Sequence, residues 1–230
     1  MPADAPGLLL LKAFAGLAWL LLVLAASLFL SAGTLRFPEA WVFLGVFTGA
    51  VVAVTAYLVR RDPALLRRRL AAGPVAEQRG VQKIVQALAS LCFVAVFVVS
   101  GLDRRRGWTS VPAPAVLAAD ALVALGFLVV FLVFRENSHA SAVIEVSPGQ
   151  RLVSTGPYRY VRHPMYAGAL LLLVATPPAL GSLSGLVPVL ALAAVIVARL
   201  RDEERLLSAE LPGYGAYRRE VRWRIVPYVW

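Results

Sequence analysis

Residues 165–200 read MYAGALLLLVATPPALGSLSGLVPVLALAAVIVARL, thirty-six positions with a single charge, at Arg199. A helix needs about 20 apolar residues to cross a bilayer once, so this block is too long for one ordinary crossing. Its middle, TPPALGSLSG, supplies the break: Pro177 and Pro178 withhold backbone N–H groups, and Gly181 and Gly185 permit a reversal. The block therefore reads as a tight helical hairpin. One leg runs to about Ala175 and the other from about Ser184 to Arg199, with both ends on the same side of a membrane.

The rest of the chain agrees. Four further apolar blocks precede the hairpin: Leu8–Ser31, Trp41–Val59, Ile84–Leu102 and Val111–Phe134. The 230 residues are 60% hydrophobic and 16% charged, whereas a soluble domain has about a quarter of its residues charged. The fold class expected is all-α, a polytopic transmembrane bundle of about six membrane segments with a helical C-terminal tail. Residues 1–134 read as four N-terminal spans and 135–230 as a catalytic region. The first block exceeds the h-region of a signal peptide and reads as a retained span. Cys92 is the only cysteine; it forms no internal disulfide, and His and Cys show no metal-ligand spacing, so no metal is expected.

The net charge of +10 invites nucleic acid as a partner, but the placement of the charges argues otherwise. With six crossings and a cytoplasmic N-terminus, only Arg36 and Arg104–Arg106 lie outside, and the other 19 of 23 basic residues lie inside. That is the positive-inside bias of a membrane protein. The partner it implies is the lipid bilayer, whose anionic headgroups the basic face would favour. An Ala-, Leu- and Arg-rich composition points to a bacterial inner membrane, with both termini cytoplasmic. The linker DPALLRRRLAAGPVAEQRG, residues 62–80, reads as a short surface helix with a turn at Gly73–Pro74. Asp120 is an acid inside a span, close to its outer end, where water is within reach.

Chemistry gathers at the cytoplasmic end. Residues 156–168 read GPYRYVRHPMYAG, and the tail from Arg199 reads RLRDEERLLSAELPGYGAYRREVRWRIVPYVW. The loop between them and the fourth span has alternating stretches at Ala142–Val146 and Gln150–Val153, read as brief extended pieces. Because a hairpin returns its ends to one place, His163, Pro164 and Tyr166 are expected near Glu203 and Glu204. Pro164 suits a first helical position, which puts His163 at the N-cap and leaves N–H groups free for a carboxylate or phosphate. Arg162 adds a bidentate guanidinium. Tyr158, Tyr160 and Tyr166 offer faces to a purine or a cation, and Glu203 and Glu204 offer charge to an ammonium. These features together fit S-adenosylmethionine. The plainer alternatives are that the tyrosines anchor the interface, that Asp202–Glu204 form a solvated helix face, and that His139 is a loop residue.

The order RHPMY, hairpin, RDEERLL and GYGAYRREVRWRIVP resembles the isoprenylcysteine carboxyl methyltransferase family, including its phospholipid methyltransferase-like bacterial relatives, over roughly residues 135–230. The resemblance implies a pocket for S-adenosylmethionine on the cytoplasmic side. Its cofactor-binding residues would be His163, Pro164, Tyr166, Gly168, Glu203, Glu204, Tyr214 and Tyr217, and Tyr158 and Val161 stand beside them as further candidates. Read from their own chemistry and position, Arg162, His163 and Glu204 are the catalytic candidates, and Arg162, Arg222 and Asn137 the substrate-binding ones. The acceptor implied is a lipophilic molecule or lipid that enters from the membrane, carrying a carboxylate, amine or thiol. No Gly-rich Rossmann turn is present; Gly213–Tyr214–Gly215 is the only GxG, and no strand-like stretch precedes it. Two other readings stand beside this one: an NADPH-dependent membrane reductase of the sterol-reductase type, and a non-enzymatic membrane lipid-binding protein. The sequence leaves the oligomeric state open.

Overall fold

The computed structural model describes residues 6–73, 77, 80–146 and 149–230. Among these the chain is helical, without strands: α1 (Pro6–Ala32), α2 (Pro38–Arg61), α3 (Pro63–Leu70), α4 (Gly80–Arg106), α5 (Ala113–Glu136), α6 (Pro164–Ala179), α7 (Leu186–Glu210) and α8 (Tyr214–Glu220). A single 3₁₀ turn covers Gly156–Arg159. Prolines open α2, α3 and α6, where a missing N–H costs no hydrogen bond. Asp62 ends α2 and begins α3; its Oδ1 accepts from the Leu65 N–H at 2.9 Å.

Helices α1, α2, α4 and α5 are long and apolar enough to cross a membrane, at 24 to 27 residues each. At about 1.5 Å per residue they exceed the roughly 30 Å hydrocarbon core. Leu11, Leu22, Leu30, Leu91, Val187 and Leu190 are exposed, as outward-facing positions are in a helix bundle solvated by lipid. The interior is knit by aromatic and branched side chains, among them Leu24, Leu28, Phe43, Phe97 and Val123. Phe97 packs on Phe43 and Phe93, with ring centroids 5.8 and 5.1 Å apart.

The 165–200 block does reverse, at a place slightly later than its prolines suggest. Pro177 and Pro178 lie in the last turn of α6, and the reversal is made at Gly181, whose φ is +70°. Asp103, at the end of α4, clasps it: Oδ2 accepts from Ser182 Oγ at 2.6 Å and Oδ1 from the Thr109 N–H at 2.8 Å. The two legs then part instead of pairing closely. Helix α6 packs chiefly on α5, and α7 chiefly on α4. The α5–α6 approach is set by two glycines. A Cβ on Gly126 would lie 2.9 Å from the Gly168 carbonyl oxygen, and one on Gly168 would lie 3.0 Å from that of Gly126. Small residues permit such close helix contact within a membrane.

The two stretches expected to be extended form no strand; residues 142–146 and 150–153 carry no regular secondary structure. Side chains strap it down, because a loop without a ladder still has backbone carbonyls to satisfy. Arg69 Nη1 donates to the Ser141 carbonyl at 3.0 Å, and Arg199 Nη2 to the Ala142 carbonyl at 2.8 Å. The expected surface helix is α3. Gly73 has φ +92°, while Pro74 lies outside the described residues.

Candidate functional site

His163 caps α6 and Pro164 occupies its first turn. The Arg162 and His163 N–H groups donate to the carbonyls of Trp223 and Arg224, each at 2.8 Å. The C-terminal segment is thereby laid along the start of α6. From the other side comes Glu204, on the part of α7 that lies beyond its apolar stretch. Oε1 accepts from Arg162 Nε at 2.7 Å, and His163 Nε2 lies 3.3 Å from the same oxygen. Oε2 accepts from Arg224 Nε at 2.9 Å. Arg162 Nη1 donates further to the Val221 and Arg222 carbonyls, at 3.1 and 3.0 Å. Arg162, His163 and Glu204 are only 5–7% exposed, so unpaired charges would be expensive there and these are paired. Burial alone would raise the Glu204 carboxyl, but hydrogen bonds from His163 and Arg224 and the nearby cationic charge outweigh it and hold the group down at about 2.

Around this knot stand the tyrosines. Tyr166 Oη donates to Glu203 Oε2 at 2.6 Å. Asn137 Nδ2 donates to Tyr158 Oη at 2.9 Å, and Tyr217 Oη donates to the Tyr158 carbonyl at 2.8 Å. Tyr217 Oη also reaches the carbonyl of Val161, at 3.5 Å. Burial pushes the Tyr158 phenol up to about 12, and raises Tyr214 and Tyr217 as well, so all three are neutral O–H groups near pH 7.

A cavity of about 750 Å³ opens here, within the range that holds a cofactor-sized ligand. Its polar lining comprises Tyr158, Arg162, His163, Tyr166, Glu203, Tyr214 and Tyr217, together with Asn137 and, beside them in sequence, Pro164. From there it runs between helices: Trp19, Leu20 and Val23 of α1, Phe93 of α4, Leu172 of α6, and Leu192 and Ile196 of α7. Two buried polar atoms of lining residues lack a hydrogen-bond partner, Tyr214 Oη and His139 Nδ1. Buried polar groups are normally paired, so these two donor or acceptor sites fit a ligand.

The sequence-predicted residues fall into two layers. Nine line the cavity. Val161, Gly168, Glu204, Arg222 and the exposed Tyr160 do not: Glu204 grips Arg162 and His163 from behind, Gly168 meets Gly126, and Val161 and Arg222 offer carbonyls to the packing. Sequence reasoning passed over Arg69 and Arg199 and read His139 as a loop residue; all three line the cavity. Arg69 stands in the run Arg67–Arg69, which on a helix aims in three directions; nothing in the run says which one turns inward.

Compared with known protein families, residues 114–211 match the model described as Phospholipid methyltransferase, one of the isoprenylcysteine carboxyl methyltransferase-like group of membrane methyltransferases. The matched segment begins at α5, twenty-one residues before the resemblance read from the sequence, and ends with α7. No curated protein matches the chain.

Proposed function

We propose that this membrane methyltransferase uses S-adenosylmethionine as methyl donor and a lipophilic acceptor drawn from the bilayer. The observation that carries the reading is the continuity of one cavity, polar beside His163 and Glu203 and apolar between α1, α4, α6 and α7. A polar donor and a greasy acceptor would share it end to end.

The donor's residues fit the chemistry of the group. Tyr158, Tyr166, Tyr214 and Tyr217 offer rings for a purine and a sulfonium, and Glu203 offers a carboxylate for an ammonium. The Tyr214 hydroxyl is open for a hydrogen bond. The positive dipole end at the start of α6 suits a carboxylate, and Arg162 retains Nη2 after spending Nε and Nη1 on the chain. When bound, S-adenosylmethionine supplies an already activated methyl group. The chain's task is to align acceptor with donor and exclude water, and orientation of that kind lowers a barrier by about 7–11 kcal/mol. A carboxylate acceptor needs no base. A thiol or amine does, and His163 takes that proton at Nδ1, with Glu204 behind Nε2 as counter-charge. Asn137 and Arg222 are the remaining candidates for acceptor contact. The charge distribution supports a cytoplasmic side for this end of the bundle and for both termini.

Calorimetry on purified protein tests the reading. Binding of S-adenosylmethionine and its demethylated product, without binding of NADPH, is the expected result. NADPH binding instead favours a reductase, and affinity for none of the three favours a non-enzymatic lipid-binding protein.

A further inference from the structure

The guanidinium of Arg69 is out of place for a structural residue. It sits in the last turn of α3 and lines the cavity. It lies over the Phe134 ring, 5.2 Å from the centroid. Nη1 donates to the Ser141 carbonyl at 3.0 Å and lies 3.6 Å from Met165 Sδ. Among the described residues no carboxylate lies within ion-pair distance of it. Arg162, Arg199 and Arg224 each have one: Arg199 Nη1 meets Glu77 Oε1 at 2.7 Å. Burial lowers the Arg69 pKa; Tyr166 opposes this, and the like charge of Arg199 adds to it. Two cations thus converge on the cavity wall, and one of them lacks a counter-charge. A partly desolvated, unpaired guanidinium costs free energy that an anion in the cavity would recover.

We propose that Arg69, with Arg199 beside it, is an anion subsite for the acceptor: it grips a phosphate or carboxylate borne by an amphiphile whose tail lies along α1 and α4. An amphiphile suits the surroundings: Arg69 touches Met165 and Ser141, and the cavity it lines also carries the apolar side chains of Trp19, Leu20 and Phe93. A head held there leaves its neighbouring atoms toward His163 and its tail among apolar side chains. The planar fork of arginine matches an oxyanion with two parallel hydrogen bonds. Arg69 lies outside the family match at residues 114–211. The proposal rests on the methyltransferase reading for the word acceptor, and on Arg69 alone for the anion.

The test is titration calorimetry in neutral maltoside micelles with three probes: dodecyl phosphate, dodecyltrimethylammonium and inorganic phosphate. S-adenosylmethionine is run in parallel. Dodecyl phosphate is expected to bind wild-type protein at least tenfold more tightly than either other probe. Tighter binding of inorganic phosphate overturns the tail's part. Arg69→Gln should lose that preference at least tenfold and Arg69→Lys should keep part of it. Arg205→Gln, an exposed control, should leave it unchanged. S-adenosylmethionine affinity should stay within twofold in every variant. Arg69→Gln that binds dodecyl phosphate as wild type does overturns the proposal. So does joint loss of both ligands that Arg69→Lys fails to restore. Wild-type protein that binds dodecyl phosphate through Arg69 but no S-adenosylmethionine upholds the anion subsite and sinks the methyltransferase reading.

Discussion

His163 Nε2 and Glu204 Oε1 lie 3.3 Å apart, although 41 residues separate them and their helices lean on different neighbours. The hairpin turn alone does not bring them together, because α6 and α7 diverge after it. What closes the gap is the arginine pair: Arg162 and Arg224 take the two oxygens of Glu204. Glu204→Ala therefore strands two guanidinium groups. Breaking a buried pair in this way costs about 3–5 kcal/mol. The expected outcome is a clear drop in thermal midpoint, faster proteolysis within residues 211–224, and loss of S-adenosylmethionine affinity. Glu204→Gln, which keeps the shape and one acceptor oxygen, should fall between. A variant that unfolds and binds as wild type does removes Glu204 from the account.

The acid limb of stability carries the same carboxylate. Glu204 titrates at about 2 folded, against an ordinary value of 4.5. A depressed folded pKa stabilises above the unfolded value, and that contribution fades as pH falls through the folded one. Docking of the tail should thus be flat in this respect from pH 7 to about 5. It should weaken below about 4.5, losing about 3 kcal/mol by pH 2. Tryptophan fluorescence of Trp223, on the docked tail, would follow it. Release beginning near pH 6 contradicts the assignment to Glu204.

How much of this was legible beforehand depends on whether a residue's role is local. Pro164 fixes where α6 begins, and an unbroken apolar run fixes a span; both follow from neighbours in sequence. The meeting of RHPMY with the Asp202–Glu204 run followed from the break at residues 176–185 and from counting which ends share a side. Gly168 shows the limit. It stands within the motif, yet its neighbour is Gly126, forty-two positions earlier, and no spacing rule pairs the two. Arg69 and His139 were hidden for a related reason: they reach the cavity through the fold of α3 and of a loop without periodicity. The stretches Ala142–Val146 and Gln150–Val153 form no strand because alternation signals one only where a partner strand exists, and here Arg199 takes the Ala142 carbonyl.

Gly126 and Gly168 make a separate test of how the site is positioned. A methyl group at Gly126 would meet the Gly168 carbonyl and the Leu172 backbone at 2.9–3.0 Å, atoms that cannot step aside singly. Gly126→Ala should push α6 away from α5 and cost about 1–3 kcal/mol, as overpacking does. Because α6 carries His163 and Tyr166, donor affinity should fall along with the thermal midpoint. Gly16→Ala on α1, where a Cβ meets open space, should be neutral or slightly stabilising by both measures.

Tyr166 separates the two parts of donor recognition. Its hydroxyl fixes Glu203 at 2.6 Å, and its ring lines the cavity beside His163, with centroids 5.8 Å apart. If Glu203 takes the ammonium, which S-adenosylmethionine shares with its demethylated product, Tyr166→Phe should weaken both by a similar factor. A hydrogen bond to a charged group is worth about 1.5–3 kcal/mol, so roughly tenfold or more is expected. If the ring also faces the sulfonium, Tyr166→Leu should weaken S-adenosylmethionine further, by about 0.5–2 kcal/mol beyond its product, since only the former carries the positive sulfur. Paired titrations of the two ligands on both variants read the two effects apart. Equal losses for Tyr166→Phe and Tyr166→Leu on both ligands would leave the hydroxyl with a role and the ring with none.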